Sequence, residues 1–191
     1  MSDDARQRCE NAADDSQPRW WAMSAIFNRS MKAREALREM AVETFVPMKT
    51  VVRTIGRRKV RQQSPAVSNL IFVRATERRV QEAKDALGYL QFLCNREQGR
   101  GIRIVVPDAQ MESFMRLASG AGDDSVYLKA DEINLTQGDK VRIHGGAFDG
   151  VVGTFQKVRG RRSRMVVVTI PTVMSVATLS FSPELLEKVT D

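Results

Sequence analysis

The densest groups of residues able to do chemistry are cations. Between positions 53 and 61 the chain carries Arg53, Arg57, Arg58, Lys59 and Arg61, five positive charges in nine residues with no intervening acid. Such a cluster draws polyanions. Phosphate contacts made by it would be strongly salt-dependent and would carry little base information. A solvated charged tip without a partner is the plainer reading of the same residues. A second cluster, Arg159, Arg161, Arg162 and Arg164, surrounds Gly160; it reads either as a turn that touches RNA or a protein partner, or simply as a soluble turn.

His144 is the only histidine and hence the first candidate for a general base. It falls on an outward strand position beside Gly145 and Gly146, and no nucleophile follows at a recognisable spacing. Proton transfer needs partners within hydrogen-bond reach, so no catalytic residue is expected and the chain reads as a non-enzyme. The glycine-rich stretch 145–153 lies between two strands. A phosphate cradle needs a strand, a loop and a helix N-terminus, with a Lys-Ser/Thr ending that is missing here. Cys9 and Cys94 match no metal or redox spacing, and the ligand count for a metal is short. Neither a metal nor a cofactor is expected, and the cysteine usage suits a reducing compartment.

The whole composition agrees with an anionic partner. In 191 residues, 30 Lys and Arg stand against 23 Asp and Glu, a net charge of +7 with a sequence pI near 9.8. Nucleic acid comes first among partners of such a chain, with an acidic protein or membrane surface behind it. Hydrophobic residues make up 42% and charged residues 28%, ordinary values for a globular chain of one or two domains. The polar N-terminus lacks the apolar core of a secretory signal, and the longest apolar stretch, around Met165–Ile170, falls far short of a membrane span. These features predict a soluble, cytoplasmic monomer with no membrane partner.

The elements that must position these groups follow from periodicity. Residues 1–18 are polar, lack hydrophobic periodicity and are expected to be a disordered tail. Trp20–Phe27 reads as a buried strand. Ser30 offers an N-cap for a helix whose Met31, Ala33, Leu37 and Met40 share a face. Thr44–Met48 is a short strand, and Val51–Gln63 is an extended hairpin with a basic tip. Asn69–Arg74 is a strand, Thr76 caps a helix over Glu77–Leu87, and Leu90–Cys94 and Ile102–Val106 are strands. Pro107 and Asp108 open a helix through Ala118. This order of split β-α-β units predicts an α+β sandwich with an antiparallel sheet. Ser119–Asp124 is the best linker signal. From Leu135 helical periodicity vanishes and four or five short strands predict a small all-β barrel.

The most specific motif is Gly138–Thr154, GDKVRIHGGAFDGVVGT. Val141 and Ile143 should face inward, Lys140, Arg142 and His144 outward; Gly145, Gly146 and Gly150 supply positive-φ turn positions and Phe148 plugs the barrel end. This segment resembles the KOW motif of SH3-like modules. Upstream, the tryptophan-rich strand at Trp20-Trp21, the helix with Lys32, Ala33 and Leu37, the segment Glu43–Met48, the basic insertion and Pro65–Val73 together resemble the N-terminal domain of the NusG family. The resemblance covers residues 19–189 and is nearest the specialised paralogues of the RfaH and UpxY kind. It implies an N-terminal domain over 19–118, a linker over 119–134 and a KOW domain over 135–191.

The resemblance also implies roles. Val67, Leu70, Phe72 and Phe92 would contribute to an apolar pocket that grips the clamp helices of RNA polymerase, although the same four side chains are what any sheet core buries. The family's segment usually reads Pro-Leu-Phe-Pro-Gly-Tyr-Val-Phe-Val; here its Phe, Pro, Gly and Tyr positions hold Val67, Ser68, Asn69 and Leu70, which keeps the pocket apolar but reshapes it. The cations at 53–61 would approach upstream or non-template DNA. The KOW domain, with Arg159, Arg161, Arg162 and Arg164, would recruit Rho, a ribosomal small-subunit protein, another factor or RNA. Some family members refold this domain into helices; the β-branched run Val166–Thr169 favours strands. The resulting expectation is a transcription elongation or antitermination regulator. A ribosome-associated RNA-binding protein carrying a KOW domain is the alternative; it accounts for the charge and the barrel but not for the N-terminal signature.

Overall fold

The computed structural model describes residues 17–97, 100–120, 126–128, 138–157, 164–171, 173–178 and 186–189. The expected disordered tail over 1–18 therefore lies, but for its last two residues, outside the described residues. Among the latter the chain is α+β, with three helices and antiparallel sheets, and it divides into two compact units.

The first unit comprises the chain up to Val46 together with Val67–Pro107. Its centre is β1 (Arg19–Ala25), in which Trp20, Trp21, Ala22, Met23 and Ala25 are all buried. A strand buried on both faces needs an unbroken apolar run rather than alternation. On one side of β1 lies β5 (Leu70–Ala75), with Trp21 opposite Val73 and Met23 opposite Ile71, and beyond it β2 (Glu43–Phe45). The other side is shared by β6 (Leu90–Phe92) and β9 (Val105–Val106).

Helices α1 (Ser30–Glu39) and α2 (Glu77–Leu87) pack on this sheet through Ala33, Leu37, Val80 and Ala83. Thr76 caps α2 as expected, accepting from the Arg79 backbone N–H at 3.3 Å. Ser30 does not cap α1. It is the first helical residue, and its hydroxyl donates instead to the Ser68 carbonyl at 2.9 Å.

Several boundaries differ from the sequence expectation: the strand expected over Thr44–Met48 ends at Phe45, and the one expected over Ile102–Val106 is interrupted at Ile104. The first strand stops at Ala25 because Phe27 and Asn28 turn left-handed, with φ of 61° and 57°. The strand expected over Leu90–Cys94 breaks at Leu93 and continues as β7 (Cys94–Glu97), which pairs with β8 (Arg100–Arg103). That ribbon is too polar to announce itself by alternation.

The second unit comprises Pro47–Ala66 and the chain from Asp108. Its β3 (Met48–Ile55) and β4 (Arg58–Pro65) form a two-stranded ribbon. Gly56 takes φ +62° at the first of the two turn positions and Arg57 does not share it, the signature of a II′ turn. A six-stranded antiparallel sheet runs β10-β14-β13-β12-β11-β15. Its strands are β10 (Val126–Leu128), β11 (Asp139–Ile143), β12 (Val152–Lys157), β13 (Arg164–Ile170), β14 (Met174–Thr178) and β15 (Leu186–Lys188). This sheet is compatible with the small KOW domain expected there. Val141 and Ile143 are buried while Lys140, Arg142 and His144 are exposed, and Phe148 is buried at the end of a 3-10 turn. Gly145, Gly146 and Gly150 have φ of +75°, +70° and +78°.

Helix α3 (Asp108–Gly120), read from the sequence as the last helix of the first domain, packs on β13 and β14 of this sheet. Met111, Phe114 and Leu117 are fully buried, each contributing about 1.5–3 kcal/mol of burial. Strand β10 falls within the stretch 119–134 read as a linker, and the Tyr127 hydroxyl donates to the Met48 carbonyl at 2.8 Å.

Candidate functional site

The basic ribbon has a regular construction. Its register pairs Val52 with Arg61, Arg53 with Val60, Thr54 with Lys59 and Ile55 with Arg58. Every one of these four rungs holds one cation opposite one uncharged side chain, so no two like charges stand directly opposed, an arrangement that would destabilise the pair. Alternation of side chains puts Arg53 and Arg58 on one face with Ile55 and Val60, and Lys59 and Arg61 on the other with Val52 and Thr54. Arg57 occupies the turn. The aliphatic members are open to solvent, Ile55 at 65% and Val52 at 59%. The structure thus brings all five expected cations together on one two-stranded element, two on each face and one at the turn.

The four residues expected to face a polymerase do not line one surface. Leu70 and Phe72 share a face of β5, and both are buried, at 3% and 0% exposure. Phe92 stands opposite Met23, whereas Phe72 stands opposite Ala22. Neighbouring residues of β1 point to opposite faces, so Phe92 lies on the face away from Leu70 and Phe72. Its ring meets Trp21 edge-on with centroids 5.5 Å apart, and the Arg103 guanidinium lies over it at 4.2 Å. Val67 precedes β5 and is 40% exposed.

In the second unit, Arg164 opens β13 and lies over the Phe155 ring at 5.7 Å; Arg159, Arg161 and Arg162 lie outside the described residues. The lone histidine is bound to a structural neighbour. His144 Nε2 sits 2.5 Å from a Glu187 carboxylate oxygen, which ties the end of β11 to β15. One residue further along that strand, Lys188 reaches Asp139 at 2.7 Å, and this hydrogen bond holds the Asp139 carboxyl below its ordinary range.

Comparison with known proteins decides the family. A family model described as transcription termination factor NusG matches residues 18–115, just over half of the 191-residue chain. The chain belongs to the NusG family. The NusG match runs from the start of β1 into α3 and includes the whole basic ribbon. Among solved structures the chain is similar to one described as the domain interaction in Thermotoga maritima NusG. That similarity has a TM-score of 0.43 and 18% identity over 92% of this chain and 99% of the other. No curated protein matches. Among the described residues, no helix is long and apolar enough to cross a membrane.

Sequence reasoning missed two features of this NusG-family chain. The exposed aliphatic residues of the ribbon look like strand-forming filler until the register shows each one facing a cation. Phe27 reads as the end of a buried strand but is 75% exposed. The adjacent Asn28 was the available signal, since asparagine is among the few residues enriched in left-handed backbone.

Proposed function

We propose that this NusG-family chain is a transcription elongation and antitermination regulator without enzymatic activity. Its N-terminal domain, residues 19–118, binds the clamp helices of RNA polymerase, and its KOW domain, residues 135–191, recruits a second factor or RNA. The single observation that carries the proposal is the family match over residues 18–115, which spans a ribbon bearing a cation on four successive rungs.

Binding that favours a closed clamp shifts the enzyme towards that state by the difference in affinity for the two states. The ribbon contacts upstream or non-template DNA through Arg53, Arg57, Arg58, Lys59 and Arg61. Those contacts are mainly to phosphate, so they add affinity and orientation without reading sequence. A covalently attached KOW domain meets its partner, whether Rho, a ribosomal small-subunit protein or another regulator, at high effective concentration near the polymerase. The replacement of the family's aromatic segment by Val67, Ser68, Asn69 and Leu70 supports a specialised, operon-directed factor of the RfaH or UpxY kind over a general one.

The test is binding of the full chain to cognate core RNA polymerase, compared with a Val67→Asp variant. Val67 is the exposed member of the expected pocket, so this charge probes docking; at buried Leu70 the same change would probe folding instead. Binding that the variant weakens at least about tenfold, or about 1.4 kcal/mol, supports docking through this segment. Absence of polymerase binding at any salt, with co-sedimentation on ribosomes, would replace this reading by the ribosome-associated alternative.

A further inference from the structure

The ribbon has no counter-charge of its own. No acid occurs between Glu43 and Glu77, and residues 52–63 are all exposed. Among the described residues none of Arg53, Arg57, Arg58 and Lys59 has a carboxylate partner. Exposed cations crowded on one element repel one another and attract the nearest available anion. The chain itself supplies one. Residues 1–16 lie outside the described residues and carry Asp3, Asp4, Glu10, Asp14 and Asp15 against Arg6 and Arg8, an acidic stretch at the head of a basic protein. It ends two residues before β1 begins at Arg19. Sixteen residues reach at most about 55 Å when extended, well beyond the diameter of a domain of about 100 residues. Residues 1–17 include no β-branched or aromatic side chain. The stretch is therefore ill suited to adding a strand to the ribbon's open edges, and charge is what it has to offer.

We propose that the acidic segment 1–16 binds the basic ribbon of the same chain and screens it until a polyanion of higher charge density displaces it. The proposal rests on the reading of the ribbon as the element that meets DNA, and gives that element its regulation. Covalent attachment gives the segment a high effective concentration at the ribbon, so a weak contact is enough to occupy it. Exposed ion pairs are individually weak and are screened by salt. Duplex DNA, with one charge per about 1.7 Å of axis, outcompetes such a segment. The free chain is thereby kept from casual attachment to nucleic acid, while DNA held close to the ribbon still binds.

The experiment compares the full chain with a full-length variant carrying Asp3→Asn, Asp4→Asn, Asp14→Asn and Asp15→Asn. In fluorescence anisotropy titrations of a labelled duplex DNA, the variant should bind about three- to tenfold tighter at low salt, and the two chains should converge as salt rises. The same four changes in an Arg57→Gln, Arg58→Gln, Lys59→Gln background should alter affinity by less than about twofold. Limited trypsin cleavage after Arg57, Arg58 and Lys59 reads the contact without DNA. At low salt it should be slower in the parent than in the acid-neutralised variant. Equal cleavage of the two chains would overturn the proposal. So would a gain in duplex affinity that persists in the ribbon-neutralised background, since net charge alone would then account for it. Protection that grows with protein concentration would overturn it as well, by placing the segment on a second copy. Salt-sensitive protection with no duplex binding by any of the chains would uphold the contact and remove the DNA reading of the ribbon instead.

Discussion

Arg103 lies over the ring of Phe92, its guanidinium carbon 4.2 Å from the ring centroid, and the same guanidinium also pairs with Glu77 in the first turn of α2. One side chain thus fastens β8 to β6 through a ring and to a helix through a carboxylate. The ion pair is screened by salt, whereas the ring contact is not screened to the same degree. Arg103→Ala should therefore cost about 1 kcal/mol of stability, and Glu77→Gln about 0.5 kcal/mol. Urea unfolding at low and high salt checks this, with the Glu77 effect fading as salt rises and most of the Arg103 effect remaining.

Tyr127 predicts a change at alkaline pH. Burial raises its phenol from 10.0 to about 12, and its hydroxyl donates to the Met48 carbonyl. The folded state therefore holds this proton more tightly than the unfolded state. The resulting stability is fully present below pH 10 and is lost as pH rises through about 12. The parent chain should lose more stability over this window than Tyr127→Phe does. Parallel denaturant curves in alkaline buffers measure the difference, and a parallel decline in both chains would exclude it.

Gly153 and Gly56 are required for different reasons. A Cβ at Gly153 would stand 2.8 Å from the Val167 carbonyl oxygen and 2.8 Å from a Val166 methyl, whereas one at Gly56 would meet nothing within 4 Å. Gly153→Ala should cost about 2–3 kcal/mol, because the obstacle is backbone of the adjacent strand. Gly56→Ala should cost about 1 kcal/mol, the penalty of a left-handed alanine alone. Thermal melting ranks the two, and a larger effect at Gly56 would contradict the close approach of β12 to β13.

The ribbon predicts a graded salt dependence. Each neutralisation among Arg57, Arg58 and Lys59, as Arg→Gln or Lys→Gln, should reduce the slope of log K against log salt by about 0.9 on duplex DNA. The losses should be nearly independent of base sequence. Titrations of two unrelated duplexes at several salt concentrations test both statements.

The order of elements was legible in the sequence because each had a strong local signal. The Trp20–Phe27 strand, shortened at its end to Ala25, the Thr76 cap, the basic hairpin and the alternation at Val141 and Ile143 stand where the pattern put them. What could not be read were pairings that depend on distant partners. A local exception is the β7–β8 ribbon, a hairpin of mostly polar residues that lack the alternation marking a strand. Ser30 has cap chemistry, yet its hydroxyl serves a carbonyl far along the chain. Likewise the sequence marks Leu70, Phe72 and Phe92 as apolar and neighbouring in kind. Only the register of β5 and β6 against β1 shows that they fall on opposite faces.

The ribbon's alternation of cation and neutral residue has a consequence for the free molecule. A lone pair of strands exposes two open edges, and such edges invite other copies to add on. Bringing a second ribbon alongside would set arginine near arginine on either face, and the charges cannot be buried without losing their water. The cations proposed to meet a polyanion therefore also keep like molecules apart. Removing them to abolish the first property would surrender the second, and the neutralised chain should be the one that aggregates.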